Sequence, residues 1–394
     1  MAKDRLPGLP KVRYLHGRPG AHPAHARLAE AVGGEFEFVD FRLRWQDQSR
    51  SRLRTVASWL VCAATLPRRR EHGVFLVDNL HISPVVMKLL FLRRDQKIVV
   101  HLGSHTLYFL QSHAFSYPVA RLHRWALRNY DALLCEGDMA AEIAKDLLGD
   151  DCPPAYRTFI GPPADKVAGL RSIDPDLERR SILFVGSGPA EFRMHYKGLD
   201  LMVQAFALAA KADPALEFHV VGDWGADIVR RCTAGLCDAA TARITFHGPS
   251  MAVDEWYRAS SIYLHAARGD AFPLASIEAM HAGLIPIVSE WTGTREIVRQ
   301  LDPRLVAPLE PSAIAERILW VAGLDSKEKR ELSRRGRELI APYTAEAADD
   351  HYRRTFAIMC SQIGAEAGAT GGQPPPNNAA TVPGFCDGHG RTGT

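Results

Sequence analysis

The chain has 394 residues, of which 46% are hydrophobic and 24% charged, and its formal net charge is only +3. Such a chain can bury the cores of about two or three domains. Its composition is ordinary for a protein with real cores and does not suggest a dedicated nucleic-acid binder, whose basic footprint would be far larger. The start, Met1-Ala2-Lys3-Asp4-Arg5-Leu6-Pro7, lacks the apolar core of a secretory signal. The longest apolar run, 55–67, is shorter than the roughly 20 residues a transmembrane helix needs. The seven cysteines are scattered without a C-x-x-C pair, which predicts reduced thiols in a cytoplasmic protein.

Val12-Arg13-Tyr14-Leu15 predicts a first strand running into His16-Gly17-Arg18-Pro19-Gly20. A helix with Leu28, Ala31 and Val32 follows, then strands at 36–39, 74–77, 98–100 and 132–135. Strands alternating with helices imply an α/β fold with a parallel sheet covered on both faces. Ligands of such sheets bind at the carboxyl ends of the strands. Between the second and third strands lies a different signal. Residues 42–70 carry Arg42, Arg44, Arg50, Arg52, Arg54, Arg68, Arg69 and Arg70, interleaved with Trp45, Leu53, Val56, Trp59, Leu60 and Leu66. This reads either as a basic helix lying in an anionic membrane interface or as an amphipathic helix packed on the first sheet with a solvated basic face.

A Gly/Pro segment, Phe159-Ile160-Gly161-Pro162-Pro163-Ala164-Asp165, separates the halves. The strand–helix alternation resumes at Ser181, so two Rossmann-like domains should face each other across a cleft. Residues 344–363 read as a helix with Tyr352, Phe356 and Met359 on one side. The tail from Gly364 is rich in Gly, Pro, Ala and Asn and is expected to be disordered.

The most informative stretch is Asp270-Ala271-Phe272-Pro273-Leu274-Ala275-Ser276-Ile277-Glu278-Ala279-Met280. Two carboxylates stand on either side of a tight apolar loop that opens a helix over 276–282. Such a loop offers free backbone N–H groups to an anion. Pro273 has no N–H, so Leu274 and Ala275 are the expected donors. Lys197 opens a second helix, from which it can reach a pyrophosphate.

This stretch resembles the E-x7-E region of retaining glycosyltransferases of family 4, which have the GT-B fold, with Asp270 in the place of the first Glu. Ile182-Leu183-Phe184-Val185-Gly186, Lys197-Gly198-Leu199-Asp200, Phe218-His219-Val220-Val221-Gly222-Asp223, Ile244-Thr245-Phe246-His247-Gly248 and Thr292-Gly293-Thr294-Arg295-Glu296 resemble further family segments, in the same order. The resemblance is strong from about Ser181 to Phe356 and weak before that. It implies an acceptor domain over 1–165, a nucleotide-sugar donor domain over 166–343, and a helix over 344–363 that crosses back to the first domain, followed by a tail over 364–394.

The resemblance further implies that Lys197 neutralises the leaving diphosphate, that Asp270 touches the transferred sugar and that Glu278 holds the ribose hydroxyls. Phe272, Pro273, Leu274 and Ala275 would present backbone to the phosphate. Gly222 and His247 would line the nucleoside pocket, and Gly17 and Gly20 would pass close to the donor phosphates. The family carries Arg where Ser187 stands here, in a loop 188–196 that looks longer than usual, and Arg193 is the candidate replacement. A family histidine after the fourth strand contacts the donor sugar. His105 is preferred for that role, with His101 as the other candidate.

Metal binding finds little support in the sequence. There is no H-E-x-x-H and no D-x-D at a strand end, and neither His22/His25 nor His101/His105 brings a carboxylate cluster. The expected activity is a metal-independent, retaining transfer from a nucleotide-diphosphate sugar to a hydroxyl of a glycan or lipid-linked acceptor, without a cofactor. The expected location is cytoplasmic or peripheral on the inner membrane face. The alternative is a non-catalytic sugar-nucleotide-binding or membrane-scaffold descendant, favoured by the departures at Ser187 and Asp270.

Overall fold

The computed structural model describes residues 9–17, 23–39, 72–92, 95–103, 106–188 and 190–365. The basic segment 42–70, Gly20, His105 and the tail beyond Ala365 lie outside the described residues.

Two six-stranded parallel sheets organise the chain. The first contains β1 (Val12–His16), β2 (Gly34–Phe38), β3 (Val74–Asp78), β4 (Lys97–Leu102), β5 (Ala132–Glu136) and β6 (Ala155–Thr158) in the order β2-β1-β3-β4-β5-β6. The second contains β7 (Ser181–Val185), β8 (Glu217–Val221), β9 (Ile244–Gly248), β10 (Ile262–His265), β11 (Ile285–Ser289) and β12 (Val306–Ala307) in the order β12-β11-β10-β7-β8-β9. The runs Val-Phe-Leu-Val at β3, Ala-Leu-Leu-Cys at β5 and Ile-Pro-Ile-Val at β11 are buried throughout. Helices cover both faces of a parallel sheet, so its strands carry continuous rather than alternating apolar runs. The architecture is the GT-B fold of two Rossmann-like domains.

In each sheet the strand order reverses once, between β1 and β3 in the first and between β7 and β10 in the second. Connections from the two central strands there leave in opposite directions and open a crevice at their carboxyl ends. Those two crevices position everything that follows.

The helix Ala345–Gln362 runs back onto the first sheet. Thr344 caps it by accepting from the Ala347 amide. Its Tyr352, Phe356 and Met359 are fully buried. Arg27 donates to Asp349 at 3.0 Å, Arg353 to the Ala31 carbonyl at 3.0 Å, and Tyr156 to Gln362 at 2.6 Å. One apolar core therefore runs from Val12 and Val74 through this helix into the second domain. The sequence reading missed β6 and β12, which are short and close the sheet edges.

The segment 188–196 departs from the loop expected there. A helix, Glu191–Lys197, occupies most of it and ends at Gly198 in the left-handed region, φ 71°. The next helix, Leu199–Ala212, starts immediately. Glycine is required at this joint, because a Cβ would fall 1.8 Å from the Ala266 carbonyl oxygen. The five described cysteines are free thiols.

Candidate active site

The crevice of the second sheet gathers the carboxylate and the lysine singled out in the sequence. Asp270 follows β10, and Lys197 ends the helix that follows β7, so the strand reversal itself brings them together. Lys197 Nζ lies 2.5 Å from Asp270 Oδ2. His265, the last residue of β10, approaches the same oxygen at 3.1 Å, and the Tyr196 hydroxyl donates to Oδ1 at 3.3 Å. Burial alone would raise the Asp270 pKa. The Lys197 ammonium and His265 outweigh it and hold the carboxyl well below its usual range. Burial and the Asp270 charge push the Tyr196 phenol well above its usual value, so it serves as a donor.

Phe272 packs toward Phe159 and Tyr343 from the domain junction. Pro273 is the N-cap of the helix Leu274–His281, so the Leu274 and Ala275 amides stand in its first turn. Ser276 Oγ is buried there without a hydrogen-bond partner. Glu278 lies on the same helix, and its carboxylate is engaged from two sides. Lys166 Nζ donates to Oε1 at 2.6 Å, and the Tyr257 hydroxyl donates to Oε2 at 3.3 Å. The loop is clamped from behind by Thr292 and Gly293. The Gly293 amide donates to the Asp270 carbonyl at 2.8 Å, and a Cβ at Gly293 would collide with the Ala271 carbonyl.

Arg193 lies beside this crevice and donates to the Ser187 carbonyl at 3.3 Å. Ser187 Oγ accepts from the Asp223 amide at 3.0 Å, fixing the loop in which the family's arginine would stand. Gly222 has φ 138°, and its missing side chain makes room for the Gly186 carbonyl. His247 packs against Trp256 with ring centroids 3.7 Å apart and the rings tilted by 33°, and sits 3.1 Å from His219.

Residues from the first domain reach this crevice directly. The Tyr108 hydroxyl and His195 Nε2 are 3.0 Å apart, and Tyr108 packs over Gly269. Gly137, at φ 73°, abuts Phe272 and the Ala271 and Gly293 carbonyls. Arg295 pairs with Glu142 across the same boundary.

In the first domain, Gly17 is buried at the end of β1. His101 is fully buried within β4, so it is a floor residue rather than one open to the cleft. Its surroundings also differ from the sequence reading, which found no carboxylate near these histidines. Glu136 Oε1 lies 2.9 Å from His25 Nε2 and 3.3 Å from His101 Nε2. Asp78 accepts from His25 Nδ1 at 2.7 Å. Burial opposes charge on His25, but Glu136 and Asp78 outweigh it and raise its pKa to about 10. Asp78, Glu136, His265, Tyr196 and Lys166 are the site residues that sequence reasoning passed over. Three of them close a strand, β3, β5 and β10, and a rule that inspects the last polar residue of every parallel strand would have found those three.

Residues 179–323 match the family described as Glycosyl transferases group 1. The matched stretch contains the whole of the second sheet, β7 to β12. The chain is 30% identical over 173 residues to an exopolysaccharide phosphotransferase of Streptomyces coelicolor, a match covering 42% of this chain and 18% of the relative. It is also 30% identical over 149 residues to the lipopolysaccharide core biosynthesis mannosyltransferase of Rhizobium meliloti, covering 34% of this chain and 37% of the relative. The chain thus matches well under half the length of either curated relative. Among solved structures, the sucrose-phosphate synthase of Thermosynechococcus elongatus superposes with a TM-score of 0.64 at 17% identity, over 89% of this chain and 100% of that one. That likeness shows the shared fold. No described helix is long and apolar enough to cross a membrane.

Proposed function

We propose that the protein transfers a sugar, with retention, from a nucleotide-diphosphate sugar to a hydroxyl of a glycan or lipid-linked acceptor on the cytoplasmic side of a membrane. One observation carries this reading. Lys197, Asp270, the free amides of Leu274 and Ala275, and Glu278 all stand at the carboxyl end of the second sheet's reversal point, inside the stretch that matches Glycosyl transferases group 1. A diphosphate there meets an ammonium group and a helix N-terminus. No metal bridging the phosphates is required, since those groups supply the compensating charge. The ribose hydroxyls fall to Glu278, and the sugar lies between Asp270 and the first domain.

Retention follows without a covalent intermediate if the departing diphosphate takes the proton of the acceptor hydroxyl on the same face of the sugar. The new C1–O bond forms as the C1–O–phosphate bond breaks, and Lys197 stabilises the charge that develops. The residues of the first domain that abut Phe272 and Gly269 exclude water from the reacting carbon.

Incubation of the purified protein with a panel of nucleotide sugars tests the reading. Slow release of free nucleoside diphosphate is expected, lost in Lys197→Ala and reduced in Glu278→Gln. A protein that binds such donors but never turns them over, with or without glycan acceptors, supports the non-catalytic alternative. One that ignores every donor removes both.

A further inference from the structure

The reversal point of the first sheet holds a second polar cluster. His25 follows β1, Asp78 ends β3, His101 lies in β4 and Glu136 ends β5, and all four are buried. Two features of the cluster are unusual. First, Glu136 Oε1 has two imidazole nitrogens at 2.9 and 3.3 Å, yet it is in no hydrogen bond, and neither nitrogen of His101 is in one. The rings approach the carboxylate at hydrogen-bonding distance without hydrogen-bonding direction. Second, His25 Nδ1 is fixed by the Asp78 carboxylate at 2.7 Å, leaving Nε2 directed at the cluster.

The geometry points to a divalent transition-metal site of the zinc class, with His25, His101 and Glu136 as ligands and Asp78 as the carboxylate that orients His25. One ligand atom from each of the three lies within 4.8 Å of the others. Bonds of about 2.0–2.1 Å to a tetrahedral ion place ligand atoms roughly 3.3 Å apart, close to the two separations from Glu136. Two imidazoles and a carboxylate suit a borderline-soft ion. A carboxylate behind a ligating histidine is the usual outer-shell partner. The ion would sit in the first domain, apart from the Lys197–Asp270 pair, and would tie three strand ends and the helix Pro23–Ala31 into one body. The proposal does not depend on the transfer reaction.

Full-length protein, stripped with a chelator and desalted, is to be titrated with Zn²⁺ and separately with Co²⁺. About one equivalent of Zn²⁺ should remain after gel filtration, the melting temperature should rise with Zn²⁺, and Co²⁺ should give the visible absorption of a four-coordinate N/O site. Asp78→Asn should weaken binding about 10–100-fold. His101→Ala and Glu136→Gln should abolish it, and His219→Ala, which alters the other close histidine pair, should retain it. Binding well below one equivalent, or unchanged in the His101 and Glu136 variants, overturns the site. So does a Co²⁺ spectrum of the octahedral aquo ion in wild-type protein, which needs no variant to fold. A wild-type melting temperature indifferent to Zn²⁺ identifies the cluster as a proton-held ion network instead.

Discussion

Replacing Lys197 with Met isolates what the buried ion pair contributes. The two side chains are only 17% and 10% exposed, and the pair is 2.5 Å long. Removing one partner of a buried pair leaves the other charge uncompensated, at about 3–5 kcal/mol. His265 at 3.1 Å still faces Asp270, so the lower end, about 3 kcal/mol, is expected for Lys197→Met. In a domain of this size each kcal/mol moves the melting temperature by about 2–4 °C, giving a loss of about 6–12 °C near neutral pH. Asp270→Asn should cost a similar amount, while the double variant should be more stable than the two losses summed, because no charge is then left alone. The pH dependence has a definite sign. The Asp270 pKa is depressed in the folded state, so its contribution is fully present above the unfolded value of about 3.9 and fades as pH falls below it. The gap between wild type and Lys197→Met should therefore narrow from pH 7 to pH 3.5. Urea denaturation of the four proteins at several pH values measures this. Additive losses, or a gap that widens in acid, would refute the ion-pair account.

Three further outcomes follow from local geometry. Gly198→Ala should cost more than about 3 kcal/mol in urea denaturation, since a left-handed alanine costs about 1–2 kcal/mol and its Cβ also meets backbone at Ala266. With Glu278 in its proposed place at the ribose, Glu278→Gln should weaken nucleoside diphosphate binding about 10-fold by calorimetry, about 1.4 kcal/mol, because an amide keeps only one acceptor oxygen for the two hydroxyls. Phe356→Ala in the crossing helix should lower stability by about 3–5 kcal/mol, read by denaturant midpoint, since that ring is fully buried in the core shared by both domains.

Most of the second domain was legible because its signals are local. The apolar runs at β7 and β11 are short, dense and flanked by turns, and the loop that opens the helix after Asp270 is written in neighbouring residues, although the helix begins at Leu274 rather than at the expected position 276. Glu191–Lys197 was misread as a loop because its own residues, Phe192, Arg193, His195 and Tyr196, have no strong helical periodicity. Its stability comes from a left-handed glycine and from Tyr196 buried against Asp270, a partner 74 positions away. The His25–Asp78–His101–Glu136 cluster was illegible for the same reason on a larger scale. Its members are spread over more than a hundred positions and meet only because parallel strands stack their carboxyl ends side by side. Spacing rules for metal ligands, built on neighbours in one helix or hairpin, do not reach such a set.

The pairing of Lys197 with Asp270 raises a question of mechanism, since both were expected to serve the donor. An ammonium group carries three donors, and Asp270 takes one. Two remain for a diphosphate, so the pair survives donor binding and holds the flexible lysine stem in one place. Asp270 is held in turn by His265 and Tyr196, which makes the lysine head a fixed rather than a searching charge. On this geometry Asp270 positions Lys197, in addition to the sugar contact proposed for it. The two roles separate experimentally. If Asp270 touched only the sugar, Asp270→Asn would weaken binding of the nucleotide sugar and leave the bare nucleoside diphosphate unaffected. Because it also positions Lys197, the bare diphosphate should lose affinity about 5–10-fold too, roughly 1 kcal/mol. The loss should shrink in Asp270→Glu, whose carboxylate can still accept from the ammonium. Isothermal titration with nucleoside diphosphates, with and without the sugar, distinguishes the cases. Equal affinity of wild type and Asp270→Asn for the bare diphosphate would leave Asp270 a sugar contact alone.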